Sequence, residues 1–250
     1  SSGTWSLVGV EIATPLRTAA AREAGLANEP GAHGATRLLR NVAGLWILQE
    51  CRRRFEADGR GWSWADLSAA AANEPAFRSV IDPDDARFAA PGLDMPDRVR
   101  AWCREHGEAV PESDAAVARA ILDGLAIATA DAAKRVGEVA GTGCSRIAIV
   151  GGGAANTLLA RLIAECSDCE VLLGPTEATA LGNALVQHVA LEGGDRAADE
   201  AESAREVRRL AASFGGSAGR NIEPSGALRG QIASARGRLH AASICETARP

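Results

Sequence analysis

Apolar residues recur at intervals of three or four along the middle of the chain, which places them on one face of an α-helix. The run consists of Val117, Ile121, Leu125, Ala128, Ala132, Val136 and Val139. Pro111 precedes the run and Gly141 follows it, and both residue types are common just outside helices. The pattern predicts one long helix that begins at about Ser113.

A compact alternation of strands and helices follows this long helix. Residues 146–150 and 170–173 are short apolar runs typical of buried strands, while 156–166 and 176–191 have helical spacing. A strand, a helix, a second strand and a second helix in roughly 45 residues favour a parallel pair of strands with a right-handed crossover. The sequence therefore predicts an α/β fold.

The amino-terminal part of the chain is less regular. A β-rich run predicts a strand over 4–11, and glycines and a proline predict short strands with turns over 25–37. Asn41 is typical of a helix N-cap, so we expect a helix from there that ends before Gly59. Residues 62–67 predict a further short helix.

The last part of the chain loses this periodicity. Residues 215–250 are rich in Gly, Ser, Ala and Arg, and such composition is typical of disordered segments. The sequence predicts a folded domain over 1–214 and a disordered tail over 215–250. Because the tail holds five Arg against two Glu, RNA binding by the tail is an alternative.

Composition excludes several classes of protein. The chain has 250 residues, of which 46% are hydrophobic and 24% charged, a balance that excludes wholesale disorder and collagen-like repeats. A net charge of −5 argues against a general nucleic-acid binder. The sequence holds no apolar stretch of about 18 residues that would span a membrane, and it opens with no secretory leader. We expect a cytoplasmic protein, and the opening at Ser1 without Met predicts a piece of a longer one.

Two of the six cysteines, Cys166 and Cys169, have a spacing found in metal and redox sites. A zinc site needs about four ligands, and no second close pair of Cys or His accompanies them. We therefore expect scattered thiols and no metal site.

Three segments that follow or enter predicted strands are candidates for binding chemistry. The first is the turn Gly151, Gly152, Gly153, where glycine lets a backbone approach a phosphate closely and leaves N–H groups free. The second is 174–183, whose small residues admit a flat ring or another helix. The third is 1–4, whose hydroxyls and amides suit phosphate oxygens. Helix capping, packing and an ordinary turn explain each one taken alone.

Five segments of the chain carry a more specific signal because they occur together and in order. They are Ser-Ser-Gly-Thr-Trp-Ser-Leu at 1–7, Leu-Arg-Asn-Val-Ala-Gly-Leu-Trp-Ile-Leu-Gln at 39–49, Pro-Glu-Ser-Asp at 111–114, Val-Gly-Gly-Gly-Ala-Ala-Asn-Thr-Leu-Leu at 150–159 and the run at 174–183. This set resembles the carboxyl-terminal domain of the FGGY carbohydrate kinases. The first two segments are most similar to the branch that phosphorylates L-rhamnulose.

The resemblance implies a fold and a reaction. The fold is the carboxyl-terminal lobe of a two-lobed actin-like ATPase with a ribonuclease-H-like core. The reaction transfers the γ-phosphoryl group of ATP, with Mg²⁺, to the 1-hydroxyl of a ketose, here L-rhamnulose. The implied ATP-binding residues are Thr4, Gln49, Gly151, Gly152, Gly153, Ala178 and Asn183. Asn41 is implied to contact the sugar.

The resemblance also implies what this chain does not hold. The general base of the family is an Asp in a Gly-His-Asp motif that would lie upstream of Ser1, so we expect no catalytic residue here. The amino-terminal lobe would be a partner, and the chain alone is expected to be inactive. Cys103 matches a half-cystine position whose partner position is Ala120, so that disulfide is not supported. Another FGGY sugar kinase, or a non-catalytic nucleotide-binding module of the same fold, remains an alternative.

Overall fold

The computed structural model describes residues 1–192, 200–214 and 220–247. Its strands are β1 Trp5–Ile12, β2 Ala27–Pro30, β3 Thr36–Ala43, β4 Arg146–Ile149, β5 Glu170–Leu173 and β6 Arg220–Ile222. They form two sheets. The first is antiparallel, with β3 between β1 and β2. In the second, β4 is parallel to β5, and β6 is antiparallel to β5.

Helices surround both sheets. They are α1 Ala19–Glu23, α2 Trp46–Ala57, α3 Trp64–Ala72, α4 Met95–Glu105, α5 Asp114–Ala140, α6 Thr157–Ser167, α7 Ala178–Glu192, α8 Glu200–Phe214 and α9 Arg229–Thr247. None of these described helices has both the length and the apolar character that a membrane crossing requires.

The long helix α5 lies at the centre of the fold and confirms the prediction from its apolar spacing. Its first turn is capped by Ser113, whose hydroxyl accepts from the amide of Ala116, and it ends at Gly141 with a left-handed φ of 70°. Every residue of 117–127 is buried, because α5 packs against β1, β3, α2, α3, α4 and α6. Burial on all sides is typical of a helix inside a core rather than on a surface.

The predicted strand–helix–strand–helix unit is also present. Arg146 lies opposite Glu170 and Ile149 opposite Leu173 in the parallel pair of β4 and β5, with α6 between the two strands in sequence. The carboxyl ends of both strands therefore meet at one edge of the sheet, and this edge holds the glycine turn.

The predicted N-cap at Asn41 is wrong. Asn41 lies in β3, opposite Leu7, because pairing with β1 keeps the chain extended as far as Ala43. Helix α2 begins at Trp46 instead. Its first amides are satisfied by the backbone of the opening segment rather than by a side-chain cap, since the Trp46 amide donates to the carbonyl of Thr4.

The disorder predicted for 215–250 is also corrected over the residues that the structure describes, namely 220–247. Strand β6 pairs with β5, and α9 places Ile232 and Ala235 in the hydrophobic core, 3% and 0% exposed. Helical spacing runs through Leu228, Ile232, Ala235, Leu239 and Ala242, all of which pack on the core. Small residues weakened this pattern in the sequence. Residues 215–219 and 248–250 lie outside the described part.

Candidate functional site

The opening segment, the glycine turn and the exit of β5 are joined by backbone hydrogen bonds at the carboxyl end of β4. The amide of Ser2 donates to the carbonyl of Val150 at 2.8 Å, and the amide of Gly153 donates to the carbonyl of Ser2 at 2.8 Å. The amide of Gly151 donates to the carbonyl of Pro175 at 3.0 Å. All three segments that the sequence singled out therefore meet at one place.

Helix α2 joins the same place through Thr4. The carbonyls of Gly3 and Thr4 accept from the amides of Leu45 and Trp46, at 2.8 and 3.2 Å. The hydroxyl of Thr4 donates to Oε1 of Gln49 at 3.3 Å. Two residues that the resemblance assigns to ATP, 45 positions apart in sequence, are thus in direct contact.

The three glycines of the turn have different surroundings. Gly151 has a positive φ of 87°, and a Cβ there would lie 2.8 Å from the carbonyl oxygen of Ser2. A Cβ on Gly153 would overlap the side chain of Ser2. Gly152 is exposed, and a Cβ there would have no heavy atom within 4 Å. The outer two glycines are therefore required by the fold, whereas Gly152 faces open space.

Backbone donors of the turn match this division. The amides of Gly151 and Gly153 are used within the protein, whereas that of Gly152 makes no backbone hydrogen bond to any residue in the described part of the chain. An exposed glycine with an unused N–H suits close approach by an anion such as phosphate.

A short turn of 3-10 helix, Gly152–Ala155, separates the glycines from helix α6. Asn156 caps α6: its Oδ1 accepts from the amide of Leu159 at 3.0 Å and from the hydroxyl of Ser68 at 3.2 Å. The sequence predicted the glycine turn at 151–153 and the helix over 156–166, and the structure fills the interval between them with this 3-10 turn. A ligand on the glycines would contact the turn itself rather than the end of α6.

The start of α7 borders the turn through Pro175. The amide of Gly174 donates to the carbonyl of Ile149 at 2.8 Å. The residue that follows β5 therefore lies against the carboxyl end of β4. Ala178 is half-buried, and a Cβ on Gly182 would meet no heavy atom within 4 Å. The exposed Asn183 accepts from Gln187 at 3.1 Å. Small residues thus leave an open face on α7, and the adenosine contacts of Ala178 and Asn183 stay a prediction.

Asn41 lies in a separate groove of about 340 Å³ on the first sheet. The groove is lined by Glu23, Ala24, Gly25, Ala27, Glu29, Leu39, Arg40 and Asn41. None of these residues belongs to the glycine turn or to the Thr4–Gln49 pair, so the structure does not bring Asn41 to the other candidates. Its amide side chain is exposed and offers both a donor and an acceptor to a hydroxylated ligand.

Sequence reasoning missed the structural role of one member of the site. Ser2 contacts the turn at both Gly151 and Gly153, whereas the sequence analysis treated the hydroxyls and amides of 1–4 only as generic phosphate ligands. A signal for this contact was available in the sequence. Ser2 lies just before one predicted strand, and the glycine run lies just after another. The described residues contain no group of three or more His, Cys, Asp or Glu side chains arranged to hold a metal ion.

Comparison with known proteins adds independent findings. The carboxyl-terminal domain of the FGGY family of carbohydrate kinases matches residues 1–191. A rhamnulokinase from Pectobacterium carotovorum subsp. carotovorum (strain PC1) is 43% identical over 192 residues, which are 76% of this chain and 38% of that protein. A rhamnulokinase from Oceanobacillus iheyensis is 37% identical over 207 residues, 83% of this chain and 42% of that protein. The chain spans less than half the length of these curated relatives.

A solved structure supports the fold. The xylulose kinase from Rhodospirillum rubrum superposes with a TM-score of 0.63 at 17% identity, covering 98% of this chain and 45% of that one. Together with the family match, this likeness confirms the predicted fold class, a mixed α/β carboxyl-terminal lobe of the actin-like ATPase type.

Proposed function

Because the chain belongs to the FGGY family of carbohydrate kinases, we propose that it is the nucleotide-binding lobe of an ATP-dependent kinase acting on the 1-hydroxyl of L-rhamnulose. The observation that carries the proposal is the junction of Thr4, Gln49 and the open glycine at 152. The names of the two curated relatives support the choice of sugar.

The junction fits the phosphates of ATP. Gly152 presents an exposed backbone N–H with no side chain in the way, and Thr4 presents a hydroxyl on the opening segment, two residues after Ser2, which is hydrogen-bonded to the turn. Phosphate oxygens accept hydrogen bonds from a backbone N–H and from a hydroxyl, and the Thr4 hydroxyl would exchange Gln49 for phosphate as its acceptor. The outer glycines hold the turn against Ser2, so that these donors are fixed before a nucleotide arrives. We place the adenosine toward the open face of α7, at Ala178 and Asn183.

Mg²⁺ fits this arrangement as a companion of the nucleotide. Magnesium is held largely by substrate phosphates and water, with few protein carboxylates. The absence of an acidic cage among the described residues is compatible with that mode of binding. When bound, the ion neutralises the charge that develops on the transferred phosphoryl group.

For the sugar, we propose that Asn41 binds a hydroxyl from its groove on the first sheet. The carboxylate that the resemblance assigns as general base lies outside the 250 residues. Phosphoryl transfer depends on holding both substrates and the metal in line. The role of this chain in the reaction is accordingly to bind and orient ATP.

Replacing Gly152 by Val is expected to weaken ATP binding to the chain by about tenfold or more, a loss of roughly 1.4 kcal/mol. The added side chain enters the open space at the turn, where its Cβ has no protein heavy atom within 4 Å, and there it obstructs the phosphates. Isothermal titration with Mg-ATP measures the dissociation constant, and thermal melting shows whether the fold is kept.

The matched control is Gly61→Val, since a Cβ on Gly61 also meets no atom within 4 Å but lies in the loop between α2 and α3. This variant should bind ATP as the unmodified chain does. Equal ATP affinity of two well-folded variants, Gly152→Val and Gly61→Val, would mean that the nucleotide site is misplaced.

The chain alone is expected not to phosphorylate L-rhamnulose, so adding the sugar should not increase the release of ADP. The reason is that residues beyond these 250 supply the base and the other lobe. A coupled assay with ATP, Mg²⁺ and L-rhamnulose tests this, with buffer lacking the sugar as the control. Turnover that depends on the sugar would refute the assignment of the base to another part of the protein.

A further inference from the structure

Two cysteine thiols lie side by side at the end of the second sheet that is opposite the glycine turn. Cys144 lies two positions before the first residue of β4, and Cys169 directly precedes β5. Because β4 and β5 are parallel and paired from Arg146 and Glu170 onward, their amino ends are adjacent. The two sulfur atoms are 3.3 Å apart. This pair is not the one that sequence spacing indicated, which was Cys166 with Cys169.

The two thiols differ in accessibility. Cys144 is exposed, whereas Cys169 is 3% exposed and its Sγ lies 3.1 Å from the carbonyl oxygen of Cys144. Cys144 also borders a cavity of about 390 Å³ whose rim includes Gly143 and Ser145. A small thiol-reactive reagent from solvent therefore reaches Cys144 first. The buried sulfur of Cys169 contacts the Cys144 sulfur from the protein interior.

The neighbouring cysteines are placed differently. Cys51, Cys103 and Cys166 are buried, and among the cysteines whose side chains the structure describes, only Cys144 and Cys169 are in sulfur–sulfur contact. A disulfide bond is about 2.05 Å long, so the two sulfurs have to approach by about 1.3 Å. Rotation of the exposed Cys144 side chain supplies movement of that size.

We propose that Cys144 and Cys169 form a reversible disulfide, with a small-molecule disulfide such as oxidised glutathione as the co-reactant. The Cys144 thiolate attacks one sulfur of the reagent, whose S–S bond breaks and releases one thiol. The Cys169 thiolate then attacks the Cys144 sulfur of the mixed disulfide and releases the second thiol. The protein loses two electrons and two protons, and the reagent gains both as two thiols.

This exchange is slow rather than catalytic. Partial burial and the hydrogen bond with Cys169 raise the pKa of Cys144 to about 11, and the thiolate is the reactive form. The pair consequently behaves as a site that is oxidised under sustained thiol stress and is reset by reducing thiols, unlike the low-pKa dithiols of oxidoreductases.

The cross-link would close a loop of 25 residues that contains β4, the glycine turn and α6. Closing such a loop removes conformational freedom from the unfolded chain. For a chain of this size we expect the melting temperature to rise on the order of 5–10 °C on oxidation. Reduction with dithiothreitol should reverse the rise.

The experiment treats the whole chain with excess oxidised glutathione at mildly alkaline pH, blocks remaining thiols and maps peptides without reduction. The expected product is tryptic peptide 136–146 joined to peptide 162–196, with Cys169 as the attachment point. Cys144→Ser and Cys169→Ser should each abolish both the joined peptide and the rise in melting temperature. Cys245→Ser, the control, should keep both.

Three results would overturn the proposal. One is a stable glutathione adduct on Cys144 with no joined peptide. Another is attachment through Cys166 instead of Cys169. The third is complete protection of all thiols under conditions that oxidise a model dithiol. Because Cys144 is exposed, Cys144→Ser is expected to fold, and circular dichroism of that variant keeps the test valid if Cys169→Ser does not.

Discussion

Removing residues 215–250 is expected to lower the melting temperature of the chain by roughly 10–20 °C, which corresponds to about 5 kcal/mol for a protein of this size. The deletion strips α9 from the core, where Ile232 and Ala235 are buried and Leu239 packs beside them. Burying a large aliphatic side chain contributes about 1.5–3 kcal/mol. Several partly buried residues add to this.

Polar contacts contribute to the same loss. Arg238 of α9 donates to the carboxylate of Glu108, whose side chain is 2% exposed, and to the carbonyl of Phe77 at 2.9 Å. Glu165 accepts from the amides of Ser225 and Gly226 at 2.7 and 3.1 Å. Without α9, Glu108 loses its charged partner, and such a loss is destabilising at a buried position.

Two point variants test whether the loss of stability comes from the packing of α9 on the core or only from shortening the chain. Ile232→Ala should cost about 2–4 kcal/mol, as core truncations of this kind do. Gly237 lies on the same helix, and a Cβ there would have no heavy atom within 4 Å. Gly237→Ala should therefore raise the free energy of unfolding by about 0.5–1 kcal/mol. Thermal unfolding followed by circular dichroism measures all three proteins. A truncated chain that melts within a few degrees of the intact one would restore the prediction of a disordered tail.

Replacing Asp123 by Ala is expected to reduce the free energy of unfolding by about 3–5 kcal/mol. The Asp123 carboxylate accepts from Nε of Arg119 at 2.9 and 3.0 Å and from the amide of Phe77 at 2.6 Å. All three groups are buried, with the Asp123 side chain at 0% exposure. Its removal leaves a buried guanidinium and a buried amide without the carboxylate that pairs them.

The control for this variant is Glu138→Ala on the same helix. Glu138 forms ion pairs with Lys134 and Arg135 on an exposed surface, and such pairs contribute less than about 1 kcal/mol. Urea denaturation gives both free energies of unfolding. Similar values for Asp123→Ala and Glu138→Ala would show that the buried pair does not stabilise the core.

Local patterns were sufficient for some elements of the fold. Helix α5 and the β4–α6–β5–α7 unit follow from apolar spacing and from residues directly at their ends, such as Ser113 and Gly141. Helix α2 and the tail required partners that are distant in sequence. Asn41 is in a strand because its segment pairs with β1. Strand β6 forms by pairing with the edge of β5.

The candidate site divides in the same way. A glycine run after a buried strand is a local signal, so the turn at 151–153 was predictable. The different roles of its glycines depend on Ser2, which packs against two of them from 150 residues away. The Cys144–Cys169 pair was within reach of the sequence, since each cysteine stands at the start of a strand in a predicted parallel pair.

The backbone link between Ser2 and Gly153 has a consequence for biosynthesis. At a translation rate of 5–20 residues per second, roughly 8–30 s separate the emergence of these two residues from the ribosome. All strands of the first sheet lie within 5–43, so they emerge long before Gly153 does. Strand β1 lies at an edge of this sheet. An uncovered strand edge is a place where chains associate wrongly. The nascent protein therefore passes through an interval in which the opening segment beside this edge lacks the backbone partners, Val150 and Gly153, that it has in the folded chain.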